Sequence, residues 1–326
     1  MKATLTQGGQ TFEATNRDIL DALAGKNFFW LDLDDGEADG MVGELLTNHF
    51  GFHPLAVQAA ERFSQRPRID DYDGFTYMVT RGADPERTGQ AEVHCFWTDT
   101  YVVTVHRGEC PALQHVRERM GRHRAAEVAS PQIVVVYLVV DALVESFFPV
   151  LSEFDDRIDA LEDDILAAPT EAQLGVLFEM KRSLMEMRKA ITPQRDMMAS
   201  ISSRSTDVPG MTDGAAHYFR DLYDHLIRLA DQVDSYRDLL GSVMDTHLST
   251  VSNRLNVVMK QLAIIATVFL PLSWLTGFFG QNFSFLVTHI APAWTFFVVG
   301  IGTELVAVAL LFMLFKRRGW LGGPTV

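Results

Sequence analysis

Charge is missing from the far end of this 326-residue chain: no Asp, Glu, Lys or Arg occurs between Lys260 and Glu304. Cysteine is scarce too. Cys95 and Cys110 form no CxxC pair and suggest no disulfide framework. Basic residues are outnumbered, 28 Lys and Arg against 42 Asp and Glu, for a net charge of −14. That balance argues against nucleic acid as a partner, because phosphate binding needs a basic surface. The acidity suits the attraction of cations, and equally suits a domain that merely stays soluble. The N-terminus, MKATLTQGGQTFEATNRD, has no apolar core, so no secretory signal is expected there. Phosphate loop, nucleophile elbow and HExxH are all absent, and the ten histidines are scattered. Neither an enzyme nor a nucleotide cofactor is expected.

What the uncharged region holds is two apolar helices. The first lies in Asn256–Asn282 (NVVMKQLAIIATVFLPLSWLTGFFGQN), with Pro271 inside it and a polar Gly-Gln-Asn stop. The second is Ala293–Phe315, followed by Lys316-Arg317-Arg318. A bilayer core about 30 Å thick needs about 20 apolar residues per helix, and each segment supplies them. The basic cluster after the second span, with Arg254 and Lys260 at the start of the first, places both termini in the cytoplasm. One such hairpin in a lipid bilayer cannot enclose a pore, so a pore requires several copies.

Residues 1–129 read as an α/β domain. Phe28–Leu33, Phe75–Arg81, Val93–Trp97 and Tyr101–His106 have the aromatic and β-branched content of strands. Pro54–Phe63 and Pro111–Met120 open as helices with Pro at the first position. Residues 130–212 read as an acidic antiparallel helical pair, one helix opening at Ser130-Pro131 and ending before Pro169, the other from about 170 to 200. Seven acids crowd one face of its first helix, Glu153, Asp155, Asp156, Asp159, Glu162, Asp163 and Asp164; they either concentrate cations or form a solvated face. From 213 no Pro appears until Pro271, so one helix is expected over 213–279, roughly 100 Å long, serving as a stalk and then as the first span. An outer loop at 280–292, the second span at 293–315 and a basic cytoplasmic tail at 316–326 complete the reading.

Several of these segments together resemble the CorA family of divalent metal transporters. They are Ser252–Asn256, Val258-Met259-Lys260, Ala263–Pro271, Gly280-Gln281-Asn282-Phe283, the stretch Arg66–Asp73 and the stalk Phe219–Leu240. The resemblance covers nearly the whole chain in order. It implies a fold of cytoplasmic α/β domain, helical stalk and two C-terminal transmembrane helices, assembled as a funnel-shaped homopentamer in a bacterial cell membrane. It also implies that divalent metal is the substrate, Mg2+ first and then Co2+ or Ni2+, and that metal bound between cytoplasmic domains holds the pore closed. One residue departs from the family signature Gly-Met-Asn: Gln281 stands in the middle position. The family's zinc carriers also relax that position, so a zinc transporter, proton-coupled or not, stays open as an alternative.

The residues that could carry transport follow. Asn282 offers one amide oxygen per chain and Gly280 a backbone carbonyl, neutral ligands suited to Mg2+ that keeps its water. Without the resemblance, Asn282 reads first as a helix C-cap, and the resemblance makes it the entry site. Asn256 is 26 positions earlier and about 39 Å away along a straight helix, and the resemblance implies that it forms an inner ring of amides. Met259, Leu262, Ala266, Leu270, Ser273 and Gly277 follow at three- or four-residue steps and share one face. Met259, Leu262 and Leu270 would be apolar gates and the other three pore lining, although such a stripe in a membrane helix can also simply pack. By the resemblance, Asp245 binds regulatory metal with Asp84 or Glu86 of a neighbouring copy. Glu304 is an acid inside the second span, expected to turn toward a polar group such as Ser273 or Thr276, as a structural hydrogen bond or a proton relay. A metal sensor that does not conduct is the remaining alternative. A sensor has no reason to place amides at both ends of one apolar face.

Overall fold

A computed structural model of the protein describes residues 1–25, 27–36, 40–83, 90–120, 130–206, 208–281, 284–289 and 293–320. Two compact units emerge, Met1–Met244 and Asp245–Val326.

The first unit is built on a seven-stranded sheet. Its strands are β1 (Lys2–Gln7), β2 (Gln10–Glu13), β3 (Phe29–Asp34), β4 (Arg68–Tyr72), β5 (Phe75–Ala83), β6 (Gln90–Trp97) and β7 (Tyr101–His106), in the order β2-β1-β3-β7-β6-β5-β4. Only β3 and β7 pair in parallel, Phe29 opposite Tyr101 through Asp34 opposite His106. Side chains alternate across the sheet. Phe29, Leu31, Leu33, Tyr77, Val79, Phe96, Val103 and Val105 enter one core with α1 (Asn16–Ala24), α2 (Met41–Asn48) and α3 (Pro54–Arg62). Trp30, Met78, Cys95, Trp97 and Val102 enter the other, with α4 (Pro111–Met120) and α5 (Pro131–Glu145). With both faces covered, the central strands β3, β5 and β7 are buried almost throughout.

The four strands and two helices expected in this region are present with ends shifted by a few residues at most. β1, β2, β4, α1 and α2 are additions. β2 is exposed along its whole length, so it carries no apolar alternation to read. α1 did carry a signal, the capping box Thr15–Asp18, in which the Thr15 amide donates to Asp18 Oδ2 at 2.8 Å.

The long helix expected from Ser130 is divided at Ser146 into α5 and α6 (Phe147–Ala167). α5 is buried from Gln132 to Val144, and Gly82 explains how closely it approaches the sheet. A Cβ there would lie 2.7 Å from Ser146 Oγ and 2.9 Å from the Leu143 carbonyl oxygen. Arg119 of α4 holds the buried Asp141 of α5 at 3.0 Å. α7 (Glu171–Ser202) docks through Gln194, whose Oε1 accepts from Thr80 Oγ1 at 2.5 Å and from the Arg81 amide at 3.0 Å. The change of character at residue 130 is therefore no gap in packing: the helices after it lie in the same compact unit as the sheet. The seven acids of α6 are all exposed.

α8 runs unbroken from Asp213 to Phe279. Within the expected outer loop, Ser284–His289 forms a short helix, α9. The second apolar segment comprises α10 (Ala293–Thr295), a π-helical turn at Phe296–Ile301 and α11 (Gly302–Arg317).

Beneath α4 and beside the parallel strands lies a buried polar chain. Trp30 Nε1 donates to Thr104 Oγ1 at 3.0 Å, and Thr104 donates to Asp32 Oδ1 at 2.6 Å. Arg117 pairs with Asp32, and His106 Nε2 stands 3.5 Å from the same carboxylate. Burial pushes the Asp32 carboxyl up, but His106, Thr104 and Arg117 outweigh it and hold the group below its ordinary range. Burial pushes His106 down, and Asp32 outweighs that and holds the imidazole above its ordinary range. The linkage has two limbs. Asp32 stabilises the fold above the ordinary carboxylate range, and this is lost as pH falls through its lowered value. His106 stabilises fully below the ordinary histidine range, and this is lost as pH rises through its raised value. Thermal unfolding followed by tryptophan fluorescence should thus be most resistant between the two. Asp32→Asn should cost about 3 kcal/mol there, as removal of one partner from a buried ion pair does, and should flatten both limbs.

Candidate transport path

Three helical stretches among the described residues are long and apolar enough to cross a membrane: Pro131–Ala167, Asp213–Phe279 and Phe297–Arg317. The apolar window of the first is 72% buried within the α/β unit, so it is core. The windows of the other two are unburied. These two helices form the candidate site.

Two faces can be told apart on the membrane part of α8. Ile264, Val268, Leu272, Leu275 and Phe279 are half-buried, at steps of three or four. On the second span Gly300, Glu304, Ala307 and Leu311 are half-buried and Phe315 is buried, again at steps of three or four. These are the covered stripes of the two helices. The Thr276 hydroxyl oxygen lies 3.0 Å from Glu304 Oε1 and so joins them, while it also stands 2.7 Å from the Leu272 carbonyl oxygen one turn back. Of the two hydroxyls named from the sequence, Thr276 is the one within hydrogen-bonding reach of Glu304.

Every residue of the stripe expected to line a pore is exposed: Asn256, Met259, Leu262, Ala266, Leu270, Ser273 and Gly277. Of its apolar members, 64% of Met259, 61% of Leu262 and 72% of Leu270 is exposed. At 3.6 residues per turn, Met259 to Gly277 fall in an arc of about 80°, centred about 160° from the covered stripe. Asn256 sits about 40° outside that arc on a straight helix. From Asn256 to Gly277 is 21 residues in six steps, a mean of 3.5. That is the repeat of helices wound around one another, and winding brings Asn256 back into phase with the rest.

The chain continues through Pro271 without a break in the helix. α8 then closes at Gly280, whose amide donates to the Thr276 carbonyl at 2.9 Å, and the Gln281 amide donates to the Phe278 carbonyl at 3.3 Å. Gly280 and Gln281 thus stand at the end of the helix, both exposed. Asn282 lies outside the described residues, as do Asp84 and Glu86. Asp245 is exposed on α8. Among the described residues, no three His, Cys, Asp or Glu side chains are grouped to hold a metal. Sequence reasoning missed the covered stripe and the π turn at Phe296–Ile301. An apolar helix looks alike on all sides, and no residue in FFVVGI announces a change of helical pitch.

The family model for the CorA-like Mg2+ transporter protein matches residues 25–317. YfjQ of Bacillus subtilis is 32% identical over 299 residues, 90% of each chain. The cobalt/magnesium transport protein CorA of Thermotoga maritima is 32% identical over 277 residues, 83% of this chain and 78% of that one. The zinc transport protein ZntB of Cronobacter sakazakii is also similar, 28% identical over 225 residues, 67% of this chain and 66% of its own. The structure of the CorA magnesium transporter from Methanocaldococcus jannaschii has the same fold, with a TM-score of 0.81 at 19% identity over 98% of this chain and 99% of that one.

Because Cys95 and Cys110 are buried, single cysteines introduced in the membrane part of α8 can be read separately. Met259→Cys and Leu270→Cys should cross-link between copies of the chain under mild oxidation. Val268→Cys, on the covered stripe, should not. Denaturing gel electrophoresis separates the two outcomes.

Proposed function

This chain belongs to the CorA-like Mg2+ transporter family, and from that premise we propose that it is a homopentameric channel for Mg2+, and for Co2+ or Ni2+ in its place. The family places it among membrane transporters of divalent cations. The observation that carries the finer reading is the exposed stripe Asn256–Gly277 on the side of α8 opposite the covered one. A face that its own second span does not cover, with the 3.5-residue repeat of packed helices, suits five copies around an axis.

In that arrangement Asn282, with the carbonyl of Gly280 and the neighbouring Gln281, forms the outer mouth. Magnesium gives up its water reluctantly, and a ring of neutral oxygens can receive it hydrated. Leu270, Leu262 and Met259 close the path by excluding water. Ala266, Ser273 and Gly277 line the wider part, and Asn256 forms the inner ring of amides. Inward flux is driven by the membrane potential, about 4.6 kcal/mol per 100 mV for a dication. Both termini then lie in the cytoplasm, and Asp245 with Asp84 or Glu86 of a neighbouring copy binds metal that holds the pore shut. A zinc transporter is the second reading, favoured by Gln281 in the signature and by the likeness to ZntB.

Purified protein in liposomes under a negative-inside potential should take up Mg2+ without nucleotide, and Co2+ should compete. Asn282→Ala should lower uptake about ten-fold, equivalent to roughly 1.4 kcal/mol. Zinc uptake with no magnesium flux would replace the first reading by the second, and no flux of either metal would remove both.

A further inference from the structure

Glu304 is the one acid within the two spans, and its contact with Thr276 admits a count of protons. The Thr276 oxygen faces two acceptors, the Leu272 carbonyl at 2.7 Å and Glu304 Oε1 at 3.0 Å, but a hydroxyl has a single hydrogen. Other threonines show where that hydrogen goes. Thr250, Thr267, Thr288 and Thr303 each donate to the carbonyl four residues back, at 2.8, 2.7, 2.8 and 2.6 Å. None of these bonds involves a carboxylate. The Thr276 hydrogen is thus committed to Leu272, and its remaining lone pairs point at Glu304.

In a bilayer, an ionised carboxylate there would set two lone-pair oxygens face to face in a medium that offers no other partner. We propose that Glu304 carries the proton and donates it to Thr276. The spans are then joined by a neutral relay running from the Glu304 carboxyl through the Thr276 hydroxyl to the Leu272 carbonyl. No Lys, Arg or His lies on either covered stripe to stabilise the charged form. The π turn at Phe296–Ile301 contributes to the placement. It holds one residue more than an α turn, which rotates every later side chain by about 100° relative to an uninterrupted α-helix. Glu304 is a positioning residue in this account. It fixes the second span against the end of α8, one turn before Gly280, and so bears on the outer mouth without touching the ion. The proposal rests on the membrane placement of the two helices but not on the metal transported.

Infrared spectroscopy of the reconstituted protein tests it. At neutral pH the wild type should show a protonated carboxylic-acid C=O band that is absent from Glu304→Gln and displaced in Thr276→Val. Glu304→Gln, whose amide can still donate to Thr276, should keep wild-type assembly and metal uptake, whereas Glu304→Ala should lose uptake. Absence of the band from the wild type, or its indifference to Thr276→Val, would overturn the assignment even in protein that transports metal. Presence of the band in protein that transports none would support it and count against the channel reading alone.

Discussion

One unbroken helix governs this molecule. α8 belongs to the α/β unit over its first half and to the membrane unit from Asp245 on. A membrane-spanning segment must satisfy its backbone internally, because hydrocarbon offers no partner for a free amide or carbonyl. That requirement keeps the helix continuous through Pro271, and it applies also to side chains. Thr267, Thr276 and Thr303 turn their hydroxyls back to their own helices. Among the described residues, it is the contact of Thr276 with Glu304 that joins the spans by a polar bond.

The two units solve burial in different ways. In Met1–Met244 both faces of the sheet are covered within the chain: the sheet is sandwiched, α5 is submerged, and the buried polar chain Trp30–Thr104–Asp32–Arg117 pairs its charges. In Asp245–Val326 only one stripe per helix is covered. The outward sides of α11 and α8 suit lipid, as apolar helices do. The opposite stripe of α8 differs in composition. It mixes Asn256, Ser273 and small residues with Met259, Leu262 and Leu270.

Legibility differed between the units for physical reasons. The spans, the continuous helix and its ends at 213 and 279 could be read from the sequence, because an absence of charge and of proline over such lengths has few structural outcomes. β7 and α4 were equally plain, one from dense β-branching and the other from its leading proline. β2 and β4 were not, because short edge strands bury too little to show alternation, and the inner strand β1 buries only Ala3, Leu5 and Thr6. α5 was ambiguous in a further way. VVVYLVV is apolar all round and long enough, together with α6, to pass for a span. Its burial against β5 and beside Gly82 makes it core, a fact that no property of the segment itself contains. The Asp32 chain was likewise invisible, because its members come from residues 30, 32, 104, 106 and 117.

By itself the sequence determined that the chain crosses a bilayer, that a long helix leads into the first crossing, and that an uncharged stretch follows Lys260 and runs to Glu304. Those properties follow from composition and local spacing, which survive without knowledge of neighbours. Tertiary structure decided which side of each apolar helix is covered, that Thr276 rather than Ser273 meets Glu304, and that α5 lies inside a domain instead of a membrane. Each of these depends on what stands across a gap of a few ångströms, and residues far apart along the chain settle that only when they pack.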